Sequence, residues 1–428
     1  MRFMLPAICG ALVALFPASA WPSEKPEGDS RDPVISGVPI DEWLSDSGQA
    51  HFRWSARLSE PRLSVHQRLT AIVEITVDGA EAAKRRGRGE LLMLIQFESQ
   101  NGHKWQTHDS VDLETLAENA KSNQIVYTQP FFVLPGDYRV SIVVADTATR
   151  EHSVIRKRFH VAPLKPDPLA DAWRDLPDIE FLQDPQAPDN LFLPSITGRL
   201  SLPVETKRPV HVDVLVNLTP TERLSGSAHV ESRNLGLLLP AMKVISQIDL
   251  DAGSLDISLI DMSRHKVAFE QRDVKDFDWE SARGNLTQSN PGIIDIKELR
   301  RRRYNAEFLQ RQIARRAAAE TEGSERAVIV LSGPVAFEAG EELHAIQIDS
   351  RPHAKLFYIR YQPPRGSYFP PRQRGRGQIG FGRGAIPPPI VDEIAPTLKP
   401  LEPKIFDVDS PDQFRKALAS ILSELARM

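Results

Sequence analysis

The stretch Val210-His211-Val212-Asp213-Val214-Leu215-Val216 decides the fold of the second half of this chain. It is a nearly continuous run of β-branched and apolar residues, as expected for a strand that a parallel sheet buries on both faces. Helical spacing follows at Asn234–Ile248 and at Ile293–Ala319, and Ser410-Pro411 is a typical start for a last helix. Further strands are predicted at Ser254–Asp261, Lys266–Gln271, Arg326–Leu331, Lys355–Arg360 and Lys404–Val408. This alternation predicts an α/β domain at 209–428, a doubly wound, mostly parallel sheet with helices on both faces.

The pattern changes to a period of two toward the amino terminus, over residues 51–165. The predicted strands there are Leu69–Val77, Glu90–Phe97, Asn123–Phe132, Tyr138–Asp146 and His152–Val161. Alternating short strands without a strong helix predict an all-β sandwich. The segment from Pro135-Gly136-Asp137-Tyr138 to the last of these strands resembles the closing hairpin of immunoglobulin-like modules in bacterial exported proteins. The resemblance implies an immunoglobulin-like sandwich.

Two segments rich in proline separate or interrupt these units. Residues 166–208 predict a Pro-rich linker packed against a neighbouring domain, because proline cannot donate a ladder hydrogen bond. Residues 362–403 form an insertion rich in Pro, Gly and Arg, which we expect to be extended and unable to bury a core. Residues 21–50 are polar and predict a leader, with a short helix at Ile40–Leu44.

Residues 1–20 have the composition of a secretory signal peptide. Arg2 precedes an apolar stretch from Phe3 to Phe16, and Ala18-Ser19-Ala20 offers a cleavage site. The single cysteine of the chain, Cys9, lies inside this segment, so the exported chain would form no disulfide. We therefore expect a bacterial protein that is periplasmic or secreted and does not span a membrane. With 53 basic and 57 acidic residues, the composition gives no case for nucleic-acid binding.

Asn217-Leu218-Thr219-Pro220-Thr221 directly follows the first buried strand. Together with the strand order and the closing segment Lys404–Leu425, it resembles the von Willebrand factor type A domain, narrowly the VWFA-related variant of exported acidobacterial proteins. Metal-binding members carry Asp-x-Ser-x-Ser at this point, a threonine from a later loop and an aspartate after the fourth main strand. Here Asn217 stands for the aspartate, Thr219 and Thr221 stand for the serines, and Thr287 is the candidate loop threonine.

The resemblance thus implies a degenerate metal motif. Residues Ser332-Gly333-Pro334 after the fourth main strand contain no carboxylate, and a hard cation needs an anionic oxygen. We expect no cofactor, with Mg²⁺ as the alternative. Asn217, Thr219 and Thr221 are then expected to satisfy backbone groups at the end of the strand.

Arginines form two other candidate surfaces. Arg374, Arg376 and Arg383 lie in the Gly-rich insertion and are candidates for contact with a protein partner. The helical arginines at 300–303, 311, 315 and 316 indicate either a solvated helix face or a site for an anionic partner.

The sequence contains no His-Glu-x-x-His, no Gly-x-Ser-x-Gly, no Walker loop and no Gly-x-Gly-x-x-Gly after a strand. The sequence therefore predicts an exported, non-enzymatic protein, adhesion-like or scaffold-like, that binds a protein partner. A metal-dependent adhesion module with unusual ligands and a hydrolase with an unrecognised site remain alternatives. A cluster of Ser, His and Asp side chains in one pocket would favour the hydrolase.

Overall fold

The structure is a computed structural model. It describes residues 39–45, 52–85, 89–114, 123–182, 196–219, 231–289, 302–319, 323–335, 343–346, 354–361 and 392–428. Within these residues the chain is a mixed α/β protein, mostly of strands, with several sheets. No helix in the described ranges combines the length and the apolar character needed to cross a membrane.

Two antiparallel sheets pack face to face in the front half. Their strands are β1 (Trp54–Leu58), β2 (Arg62–Leu63), β3 (Leu69–Asp78), β4 (Glu90–Ser99), β5 (Lys104–Asp112), β6 (Gln124–Val133), β7 (Gly136–Asp146), β8 (His152–Val161) and β9 (Ile179–Phe181). One sheet has the order β5-β4-β7-β8, and the other has the order β1-β3-β6-β9 with β2 beside β3. The rings of Phe97 and Phe131 meet between the two sheets at 4.7 Å. A short helix, α1 (Ile40–Ser45), lies where the sequence suggested one and buries Trp43 against β4 and β7. A second short helix, α2 (Gly79–Ala83), follows β3.

The proline-rich segment joins both halves by strand pairing. Strand β9 pairs with β6 of the sandwich, whereas β10 (Leu202–Val204) pairs with β12 (Ile248–Leu250) of the second half. The segment therefore docks on both neighbours. Strands of three residues could not be predicted from sequence, because their stability depends on a distant partner strand.

A six-stranded mixed sheet forms the second half. Its strands are β11 (Val210–Asn217), β13 (Gly253–Asp261), β14 (Lys266–Gln271), β15 (Glu325–Ser332), β16 (Ala354–Tyr361) and β17 (Lys404–Val408). The order is β14-β13-β11-β15-β16-β17, parallel throughout except for β14. The run of β-branched residues thus becomes a central strand.

Helices cover both faces of this sheet. On one face, the even-numbered valines of β11 share a core with α3 (Glu231–Ile245) and the last helix. Helix α5 (Arg302–Ala317) lies within the predicted helical stretch Ile293–Ala319 and packs on the opposite face. Helix α4 (Trp279–Ser289) was not predicted. The last helix, α6 (Pro411–Leu425), begins as predicted, with the Ser410 hydroxyl accepting from the backbone N–H of Gln413.

The end of the insertion differs from the prediction. Residues 362–391 lie outside the described residues, but 392–401 are neither extended nor unable to bury a core. A 3₁₀ helix at Ala395–Leu401 buries Leu398 and Leu401, and Ile394 before it is also buried. The physical reason is composition, because the Gly- and Arg-rich part ends before this apolar stretch begins.

The two halves share a polar junction inside one apolar core. The guanidinium of Arg415 on α6 bonds both carboxylate oxygens of Asp167, at 2.6 and 2.9 Å, and also the carbonyl of Leu169. It lies 4.7 Å above the ring of Trp173. The indole N–H of Trp173 donates to the carbonyl of Gln67, whose side-chain amide donates in turn to the carbonyl of Pro411. The sandwich is therefore attached to α6 through directional bonds.

His66 beside this junction predicts a stability loss on acidification. Burial, aided by the charges of Lys243 and Arg68 and opposed by that of Glu180, lowers the pKa of His66 to about 4. Protonation then favours the unfolded chain, so stability is full above pH 6.5, the ordinary value, and falls as pH drops toward 4. This residue alone is expected to reduce the free energy of unfolding by up to about 3 kcal/mol over that window.

Urea denaturation at a series of pH values tests this expectation. His66→Gln removes the titrating group and should flatten the pH profile between 6.5 and 4. The matched control is His103→Gln, at an exposed position of the sandwich, which should keep the wild-type profile. An unchanged slope in His66→Gln would show that the imidazole is not the responsible group.

Candidate functional site

The carboxyl edge of the mixed sheet has the geometry of a ligand site. The chain leaves β11 toward β13 on one side, while β15 and the later strands lie on the other side. Open α/β sheets bind ligands outside the carboxyl ends of their strands at such a switch point. The strand ends that meet here are Asn217 of β11 and Ser332 of β15.

Asn217 and Ser332 are joined to each other at this edge. The side-chain N–H of Asn217 donates to the Ser332 hydroxyl at 2.9 Å, and that hydroxyl donates to the carbonyl of Gly333 at 2.7 Å. The amide oxygen of Asn217 accepts from the backbone N–H of Thr219 at 3.1 Å. Both residues are fully buried, so their polar groups are used in holding the edge together.

The predicted motif threonines have different outcomes. The hydroxyl of Thr219 accepts from the backbone N–H of Met262 at 2.7 Å and ties β11 to the turn after β13. Thr221 lies outside the described residues. The expectation that Thr287 lies in a loop is wrong, because this residue lies within α4. That helix continues through position 287 because Asp278 bonds the backbone and hydroxyl of Ser281 at its start, and because Leu286 is buried.

Two carboxylates at this edge are each engaged by an arginine. Asp261 is paired with Arg264 at 3.1 Å. Asp392 is paired with Arg360 at 3.3 Å and accepts from the backbone N–H of Val335. Burial outweighs these contacts and raises the pKa of the Asp392 carboxyl. Neither carboxylate is a free anionic ligand.

The donor set of Asn217, Thr219 and Ser332 does not fit Mg²⁺ well. It offers one amide oxygen and two hydroxyls, all of which already make protein hydrogen bonds. A hard cation prefers carboxylate oxygens that are free to coordinate it. Asn217 and Thr219 each accept a hydrogen bond from a backbone N–H, as expected for these two motif residues.

A second polar cluster, at the amino-terminal end of the same strands, was missed by sequence reasoning. Nε2 of His211 lies 3.6 Å from a carboxylate oxygen of Asp213 and 3.4 Å from one of Asp256. The three groups could reach a common metal ion. The available signal was the polar pair at 211 and 213, two apart and therefore on one face of a strand otherwise apolar.

Two guanidinium groups compete with any metal at this cluster. Arg316 contacts one oxygen of Asp213 at 2.8 Å, and Arg326 contacts the other. Burial would raise the pKa of Asp213, but His211 and the two arginines outweigh it and leave the pKa lowered. Asp213 is thus an ionised counter-ion for arginines. The alternative of a fully solvated helix face is wrong for Arg316, because its helix packs directly over β11 and brings the side chain to Asp213.

The same cluster contains a serine beside a histidine, which bears on the hydrolase alternative. Nδ1 of His211 lies 2.5 Å from the Ser254 hydroxyl, and Nε2 faces the two carboxylates. A base oriented by a carboxylate is one part of a nucleophilic site. However, Ser254 lies within a regular strand and at its amino-terminal end, whereas nucleophiles in such sheets occupy turns after the carboxyl ends. The arrangement is therefore only a partial match to a catalytic site.

The remaining predicted site residues, Arg374, Arg376 and Arg383, lie outside the described residues.

Comparison with known proteins leaves the family open. No family model matches the chain, and no curated protein matches it. Among solved structures, a Northeast Structural Genomics Consortium target matches 26% of this chain and 85% of its own, at 13% identity and a TM-score of 0.16. At that TM-score the likeness defines no fold.

Proposed function

We propose that this chain is an exported, non-enzymatic protein that binds a protein partner through a von Willebrand factor type A-like domain. The partner contacts the loops after the carboxyl ends of the parallel strands. The observation that carries the proposal is the Asn217–Ser332 bond, because it holds the switch point closed with neutral groups. A partner can bind at such an edge although the edge has no competent metal site.

The architecture supports this assignment. Numbered from β11, the sheet has the order 3-2-1-4-5-6, as in doubly wound folds, with the third strand antiparallel. In the front half, two packed antiparallel sheets support an immunoglobulin-like sandwich. Export rests on the composition of residues 1–20.

Affinity capture in two buffers tests the proposal. The chain without residues 1–20 serves as bait for the solubilised cell envelope of its own species, with either Mg²⁺ or EDTA present. We expect the same partner in both buffers. Release by EDTA would instead favour the metal-dependent adhesion module.

A pair of matched variants tests where the partner binds. Arg264→Glu changes the turn beside Met262 at the carboxyl edge, and Arg208→Glu changes an exposed arginine just before β11, at the other end of the sheet. Each wild-type arginine pairs with a single carboxylate, at 3.1 and 3.3 Å. Capture should fall about tenfold in the first variant and stay at the wild-type level in the second, if reversing a charge in the interface costs about 1.4 kcal/mol of binding free energy. Equal losses would contradict binding at the carboxyl edge.

A further inference from the structure

A groove opens at the amino-terminal end of the mixed sheet, beneath the last turn of α5. Its volume is about 270 Å³, and its lining includes Arg272, Arg315, Arg316 and Arg326 together with Asp256 and Glu270. A water molecule occupies about 30 Å³ of liquid, so the groove has room for a small ligand. It lies at the end of β11 opposite to Asn217 and is separate from the proposed partner surface.

The charges that line the groove favour an anion. Four arginines and two carboxylates line it. The two carboxylates are already engaged. Asp256 accepts from the backbone N–H of Asp273 at 2.9 Å, and Glu270 contacts Arg272 and Arg316 at 3.1 and 3.4 Å. Asp213 lies beneath the lining and pairs with both Arg316 and Arg326, so four arginines face three carboxylates and leave an excess of one positive charge.

The central arginine of the groove is held in place before any ligand arrives. Arg316 donates to Asp213 at 2.8 Å and to the hydroxyl of Ser258 at 3.2 Å. Its Nε is buried and makes no hydrogen bond within the described structure. A guanidinium that is fixed by the protein loses little side-chain entropy on binding, and its planar fork suits tetrahedral oxyanions.

A cation is the less favourable occupant. A metal on His211, Asp213 and Asp256 would lie next to the guanidinium groups of Arg316 and Arg326, which already engage Asp213. Like charges at such short range repel strongly in a partly buried site.

We propose that this arginine-lined groove binds a phosphate-type oxyanion, either inorganic phosphate or the phosphoryl group of a small molecule. The excess of positive charge favours an anion over a cation, and the exposed Arg272 and Arg315 supply the donors at the mouth of the groove. The inference goes beyond the proposed partner binding and does not depend on it.

Calorimetric titration of the purified protein with inorganic phosphate and with phenyl phosphate tests the inference, at constant ionic strength set with chloride. We expect binding with a Kd of roughly 1 mM or tighter. Tighter binding of phenyl phosphate would assign the groove to a phosphorylated small molecule, and equal affinity would assign it to free phosphate. No binding of either, or heat from Zn²⁺ alone, would overturn the proposal.

Three single variants locate the binding. Arg315→Gln and Arg272→Gln are each expected to weaken phosphate binding about tenfold, the effect of losing one charge-assisted hydrogen bond. Both positions are exposed, so folding is retained. The matched control is Arg311→Gln, which changes an exposed arginine one turn earlier on α5 and outside the groove. Equal weakening in Arg311→Gln would show that phosphate is attracted by the overall charge and does not bind at the groove.

Discussion

Arg415→Ala is expected to lower the free energy of unfolding by about 3–5 kcal/mol, the usual cost of removing one partner from a buried ion pair. The side chain of Arg415 is 3% exposed and that of Asp167 is 10% exposed. Removing the guanidinium takes away both of its hydrogen bonds to Asp167, which keeps the backbone N–H of Leu169, and it leaves the carbonyl of Leu169 without this donor and a cavity above Trp173. Urea denaturation followed by tryptophan fluorescence measures the loss.

Two variants make this result specific. Arg427→Ala removes an arginine of the same terminal segment whose side chain is 68% exposed and pairs with Glu424 at 3.5 Å, so it should cost less than about 1 kcal/mol. Arg415→Lys keeps the charge but lacks the planar fork, so its cost should lie between the two. Similar losses in Arg415→Ala and Arg427→Ala would show that the junction does not contribute to stability as described.

Asp213→Ala is expected to be similarly destabilising, by about 3–5 kcal/mol. The side chain of Asp213 is 1% exposed and faces two guanidinium groups, which would repel each other without it. Because its pKa is lowered in the folded protein, the carboxylate stabilises the fold above the ordinary Asp value of about 3.9. This contribution is lost as pH falls through the folded pKa. The stability of the Asp213→Ala variant should therefore fall less than that of the wild type over the same pH range.

The controls for Asp213 use the same sheet. Glu325→Ala removes a half-exposed carboxylate that pairs with Arg208 at 3.3 Å, and we expect a loss below about 1 kcal/mol. Asp213→Asn keeps the volume but removes the charge, which separates the ionic contribution from packing. A loss below about 1 kcal/mol in both Asp213 variants would contradict the role of counter-ion.

Strands that carry their own pattern were predictable from the sequence. The apolar run of β11 and the alternation of β3 and β7 are local signals, and the structure has strands at those positions. The start of α6 was equally local, because Ser410 and Pro411 are adjacent to the helix they begin.

Features that depend on distant partners were not predictable. Arg415 follows Phe414 on a helix whose charged residues are otherwise solvated, and its burial depends on Asp167, 248 positions earlier. Asp213 was hidden in a run interpreted as buried on both faces, because only the fold brings Arg316 and Arg326 to it. At the carboxyl edge, the sequence identified Asn217 and Thr219. Their partners Ser332 and Met262 are distant in sequence, and only the fold brings them together.

The shared junction has a consequence for modularity. A gene fragment that encodes only residues 209–428 would carry Arg415 without Asp167, Leu169 or Trp173, and the buried guanidinium would meet water. Recombination at the proline-rich segment would therefore separate partners that fold together. The sandwich, the joining strands and the α/β sheet therefore fold as one unit. We expect gene recombination to transfer them between proteins only together.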